Sequence, residues 1–71
     1  MVSLPNLPPD PQDDLGRYLG LDAESAAALA REQGWRTVRS LPPGTVVTME
    51  YVAGRLNFEV DGGRVRRCWK G

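Results

Sequence analysis

Apolar and polar positions alternate most strictly between Arg55 and Asp61. Leu56, Phe58 and Val60 point one way, and Arg55, Asn57 and Glu59 the other. A period of two is that of a β-strand. Asp61-Gly62-Gly63 supplies turn residues that tolerate positive φ, so a hairpin to a strand over Val65–Trp69 is expected. The period changes between Asp22 and Gln33, where Ala26, Leu29, Ala30 and Gln33 fall at i, i+3, i+4 and i+7 of a helix. Asp22 suits its N-cap, Glu24 favours the positive end of its dipole, and Gly34 stops it. Small alanines on the apolar face let such a helix sit close to a sheet. Trp35–Leu41 is a further candidate strand, broken by Pro42-Pro43-Gly44. Ahead of the helix, Leu15, Tyr18 and Leu19 are expected to pack on the core.

The order is therefore helix, strand, long connection, strand, turn, strand. A connection of about a dozen residues permits parallel pairing of the first two strands. The expected fold class is α+β, with one α-helix packed on a small mixed β-sheet and a long exposed loop between two parallel strands. Residues 1–12 carry four prolines, Pro5, Pro8, Pro9 and Pro11, and read as a flexible tail before a single domain over residues 13–71.

The connection is the unusual part. Val46, Val47, Thr48, Met49, Glu50, Tyr51 and Val52 would ordinarily make a strand. As a strand this run is largely apolar on both faces, which a small two-layer domain buries only with difficulty. As a loop it presents an extended peptide. Serine proteases bind substrates extended, as an added strand, and a preformed loop of this kind binds with little ordering cost.

Composition narrows the field further. The 71 residues make one small domain, which buries only about 60% of its unfolded surface. One cysteine, Cys68, excludes an internal disulfide and a multi-cysteine zinc site, and it reads as a small buried hydrophobe of the last strand. The absence of histidine removes the commonest general base and metal ligand, so neither independent catalysis nor a cofactor is expected. Nine basic and nine acidic residues balance, which argues against nucleic acid or anionic membrane as the main partner. The basic run Arg64–Lys70 reads as a solvated terminal strand, and Trp35 and Trp69 as packing residues at the core edge. No apolar run approaches the ~18 residues of a membrane span. Met1-Val2-Ser3 lacks the basic start of a signal peptide, which leaves the compartment open between cytoplasm and secretion as a trimmed form. A monomer is expected.

The run Gly44-Thr45-Val46-Val47-Thr48-Met49-Glu50-Tyr51 resembles, almost residue for residue, the protease-binding loop of the potato inhibitor I family of serine protease inhibitors. Leu19-Gly20, Asp22, Glu24, Ala26, Leu41-Pro42 and Gly44 extend the likeness, which covers roughly Leu15 to Trp69. Bacterial relatives carry an Arg-Leu-Asn sequence like Arg55-Leu56-Asn57, where many plant members have arginine in place of Asn57. The resemblance implies a reactive-site loop with Met49 before the scissile bond and Glu50 after it, flanked by Thr48 and Tyr51. It implies that Arg55 and Asn57 brace the loop from the strand behind it. A long, polarizable methionine suits the roomy apolar pocket of a subtilisin-like or chymotrypsin-like serine protease. The competing expectation is a non-inhibitory module that shows the same loop to another protein.

Overall fold

The computed structural model describes residues 10–45 and 51–71. Residues 1–9 of the expected tail, and Val46, Val47, Thr48, Met49 and Glu50 of the expected loop, lie outside the described residues. A 3-10 helix, Leu15–Tyr18, precedes helix α1, Ala23–Glu32, and strands β1, Thr37–Leu41, β2, Arg55–Asp61, and β3, Arg64–Lys70. The sheet order is β1-β2-β3. β1 runs parallel to β2, with Thr37 opposite Arg55 and Leu41 opposite Glu59. β2 and β3 form an antiparallel hairpin, with Leu56 opposite Lys70. The fold is α+β, one helix on a small mixed sheet.

Local chemistry explains the element ends. The Asp22 carboxylate caps α1 by accepting from the Ser25 N–H at 3.0 Å. That bond holds the Asp22 carboxyl below the usual carboxylate range. Opposite β2, Glu59 faces Arg67 and Val60 faces Val65, so Arg66 is the extra residue of a bulge. The chain between the 3-10 helix and α1 borders β3, with Gly20 N–H donating to Val65 O and Val65 N–H to Leu21 O, each at 2.9 Å. Part of an otherwise open sheet edge is thereby satisfied.

The core lies between α1 and one face of the sheet. Tyr18, Ala26, Ala30, Trp35, Leu56, Phe58 and Val65 are buried, and Leu29, Val38, Val60 and Cys68 pack against them. The Tyr18 and Phe58 rings meet at 5.4 Å between centroids, tilted by 46°. Burying each large side chain contributes about 1.5–3 kcal/mol. Alanines at 26 and 30 bring the helix backbone down onto Leu56 and Phe58.

Two sequence expectations change in the structure. Leu19 is 51% exposed, not packed on the core. In a 3-10 turn, residues i and i+3 share a face, so Leu15 and Tyr18 take the inward positions and Leu19 falls off that face. Trp35 precedes β1 and fills the core, so the strand begins at Thr37. Within the stretch expected as tail, Asp10 meets Tyr51 and Gly54, and Pro11 lies beside Gly34.

Beneath the 3-10 helix sits a buried carboxylate that sequence reasoning did not single out. The Asp13 side chain is fully buried. Its Oδ2 accepts from the Tyr18 hydroxyl and from Trp35 Nε1, the latter at 3.0 Å. Arg17 Nε stands 3.0 Å from Oδ1, an ion pair without directed hydrogen-bond geometry. Burial raises the Asp13 carboxyl and the Tyr18, Trp35 and Arg17 contacts outweigh it, so its pKa lies below the ordinary value. Burial first, and then Asp13, push the Tyr18 phenol well above its ordinary value.

Candidate functional site: the connection between the parallel strands

Because β1 and β2 are parallel neighbours, the chain leaving Leu41 must return along the sheet to start β2 at Arg55. Thirteen residues make that return. A local turn shapes the near end of the connection, and contacts with the rest of the domain hold the far end. At the near end, Pro42-Pro43-Gly44-Thr45 forms a turn in which Thr45 N–H and Thr45 Oγ1 both donate to the Pro42 carbonyl, at 3.3 and 2.6 Å.

The far end, Tyr51–Gly54, is held more heavily. Val52 N–H donates to Gly71 O and Arg55 N–H to Val52 O, each at 3.2 Å. The Gly54 carbonyl accepts from Arg36 N–H at 2.9 Å and Thr37 N–H at 3.2 Å. The Arg36 guanidinium donates to Ala53 O at 3.0 Å. Gly54 has φ +78°, and a Cβ there would stand 2.6 Å from Arg36 Nη2. The positive φ favours glycine, and a Cβ there would also have to displace the Arg36 guanidinium. Gly71 is comparable: a Cβ on it would fall 2.4 Å from the Tyr51 ring.

The residues expected to brace the loop lie on the sheet face turned away from α1. Arg55 is half-buried, and its Nε and Nη2 donate to Gly71 O at 3.2 and 2.6 Å. Asn57 shares the strand face of Arg55, as the alternation predicts, and is fully buried. Its Oδ1 accepts from Arg39 Nε at 2.8 Å, and its Nδ2 donates to Trp69 O at 3.3 Å. Asn57 therefore ties the three strands together: Arg39 belongs to β1, Asn57 to β2 and Trp69 to β3. Arg67 lies over the Trp69 ring at 5.4 Å on the same face and pairs with Glu59 at 3.3 Å.

Of the expected loop residues, Tyr51 and Val52 are described, and both are exposed. Any contact of Arg55 or Asn57 with residues 46–50, the part of the loop they are expected to brace, lies outside the described residues. Sequence reasoning missed Arg39 and Asp10. Arg39 becomes visible only once β1 and β2 are set in register, which places it opposite Asn57. Asp10 lies 41 residues from Tyr51 and 44 from Gly54. An acid among prolines is the single local signal it leaves.

Other chemistry is sparse. Among the described residues, no three His, Cys, Asp or Glu side chains gather as a metal site, and no helix is long and apolar enough to cross a membrane. Cys68 packs against the core, and burial pushes its thiol up to about 12, which disfavours the thiolate.

These features define a small α+β scaffold without disulfides, in which a thirteen-residue connection joins the parallel strands and is clamped at its far end. The sequence pattern of the peptidase inhibitor I78 family matches residues 14–69, and the chain belongs to that family. The matched span runs from the cap of the 3-10 helix to Trp69 and includes the whole crossover. Membership places the chain among peptidase inhibitors, with a peptidase as the implied partner. No curated protein matches the chain.

Proposed function

We propose that this protein is a reversible, substrate-like inhibitor of subtilisin-like or chymotrypsin-like serine proteases, and that the crossover is its reactive-site loop. Met49 enters the apolar specificity pocket. Met49-Glu50 is the bond offered for cleavage, and Val46, Val47, Thr48, Tyr51 and Val52 form the extended contact on either side. The likeness of this run to the potato inhibitor I loop supplies the assignment of positions. The observation that carries the reading is the Tyr51–Gly54 clamp at the far end of the crossover, with the Thr45 turn shaping its near end. A shaped exit and a clamped return limit the ordering cost on binding. They also keep the two sides of a cleaved bond together.

That second effect distinguishes an inhibitor from a substrate. Attack by the protease serine on the Met49 carbonyl makes an acyl-enzyme and releases the Glu50 amine. Glu50 stays attached through Tyr51 to the clamp and to β2. The amine then attacks the ester and expels the serine, with the large effective molarity of an intramolecular partner. Arg55 stabilises this far side by gripping Gly71 O, and Asn57 does so by locking β2 to its neighbours.

The test is titration of subtilisin and chymotrypsin with the parent protein and with Met49→Asp, followed by mass analysis for a nick after Met49. The parent should inhibit near stoichiometry and accumulate little nicked product. Met49→Asp should lose inhibition and keep its thermal melt, because a carboxylate in an apolar pocket is uncompensated. An unchanged inhibition constant in Met49→Asp refutes the assignment of Met49. A parent that leaves both proteases fully active refutes the inhibitory reading and favours a module that binds some other protein.

A further inference from the structure

The far end of the crossover is gripped by a segment remote in sequence. The Asp10 carboxylate accepts from the Tyr51 hydroxyl through Oδ2 and from the Gly54 N–H through Oδ1, the latter at 2.7 Å. These donors sit three positions apart and bracket Val52 and Ala53, so one carboxylate clamps the stretch from Tyr51 to Gly54. The opposite side of the same stretch is held at the start of β1, through Thr37 and the preceding Arg36 on the Gly54 carbonyl. Gly54 thus has both backbone polar groups occupied by different parts of the chain. Pro11, next to Asp10, lies beside Gly34, which follows the C-cap of α1.

We propose that Asp10 is a positioning residue for inhibition: the segment before the domain straps the far side of the reactive-site loop and holds Tyr51 in place. The proposal rests on the protease-facing reading of residues 46–52. Tyr51 follows Glu50 directly, so the residue tied to Asp10 is one peptide bond from the amine that must return to the acyl-enzyme. A carboxylate with two donors, one of them the phenol, is a charge-assisted grip of fixed direction. Loss of the grip widens the range of the Glu50 amine and favours attack by water over religation. The strap acts on turnover of the bound inhibitor by fixing Tyr51, one residue of the contact surface, beside the bond offered for cleavage.

The full chain is compared with Asp10→Ala, Asp10→Asn, Tyr51→Phe and the Asp10→Ala/Tyr51→Phe double variant. Three measurements are made: exchange of the Gly54 amide with solvent, absorbance titration of the tyrosines, and the rate of Met49-Glu50 cleavage by subtilisin. The Tyr51 phenol is held above its ordinary pKa by the Asp10 hydrogen bond, so it should titrate lower in Asp10→Ala. Gly54 exchange should quicken in Asp10→Ala and much less in Tyr51→Phe. Cleavage should rise about tenfold in Asp10→Ala, the scale of one charge-assisted hydrogen bond. It should rise less in Asp10→Asn, which keeps one carbonyl acceptor. The double variant should be cleaved no faster than Asp10→Ala, because both changes break the same grip. Unchanged Gly54 exchange and Tyr51 titration in Asp10→Ala overturn the strap, whether or not the parent inhibits. A strap present by those two measurements, with variant cleavage equal to the parent's, overturns its role in positioning while the inhibitory reading stands. A strapped parent that inhibits neither protease refutes the function, and the positioning role with it.

Discussion

Replacing Asp13 by alanine removes the acceptor shared by Tyr18 and Trp35 and leaves two donors buried beneath the 3-10 helix. Each donor left unpaired costs about 1–3 kcal/mol. The variant no longer bears the cost of burying a carboxylate, which offsets part of the loss, so the net penalty is about 3 kcal/mol. A chain of 71 residues has an unfolding entropy of about 0.15 kcal/mol/K near its melting point, so Tm should fall by about 20 °C. That is a large fraction of a total stability of about 4–11 kcal/mol for a domain of this size. The assay is thermal unfolding at pH 7 followed by far-UV circular dichroism. Asp13→Asn keeps the shape and one carbonyl acceptor and should lose roughly half as much. In a Tyr18→Phe background the Asp13→Ala penalty should shrink, because one of the stranded donors is already gone. A Tm within about 5 °C of the parent's for Asp13→Ala would mean that the two donors find water or other partners, and the buried-acceptor reasoning would fail.

The same carboxylate should make stability fall in acid. Its folded pKa lies below the unfolded value of about 3.9, so its contribution is complete above that pH and is lost as pH falls through the folded pKa. Urea midpoints measured from pH 6 down to pH 2 should therefore fall more steeply for the parent than for Asp13→Asn; parallel curves would contradict the assignment. Arg39→Ala should strand the buried Asn57 Oδ1 and cost about 1–3 kcal/mol. It should also quicken nicking after Met49 by subtilisin, and a variant with parental stability and parental nicking would remove Arg39 from the loop support.

Much of the scaffold was legible because its signals are local. Asp22, the alanine face and Gly34 mark the limits of α1 within a residue, since a cap, a 3.6-residue period and a stop are all written inside one segment. The alternation from Arg55 to Asp61 coincides with β2, and two glycines set its turn to β3. Leu19 and Trp35 were misplaced for lack of geometry. Which of three neighbouring apolar residues turns inward depends on the 3-10 turn, and whether a tryptophan starts a strand or fills the core depends on what lies across from it.

The candidate site divides along the same line. Sequence by itself determined that a long apolar connection joins two strands, that Arg55 and Asn57 share a face, and that no histidine chemistry is available. Tertiary structure alone decided the register that sets Arg39 against Asn57, the burial of Asp13 under Tyr18 and Trp35, and the grip of Asp10 on Tyr51 and Gly54. Side-chain alternation and helix caps follow from the conformation of neighbouring residues, so they repeat wherever the same residues recur. A hydrogen bond across 22 or 44 residues depends on where the whole chain folds back, and that follows from packing α1 on the sheet rather than from the residues on either side of the bond.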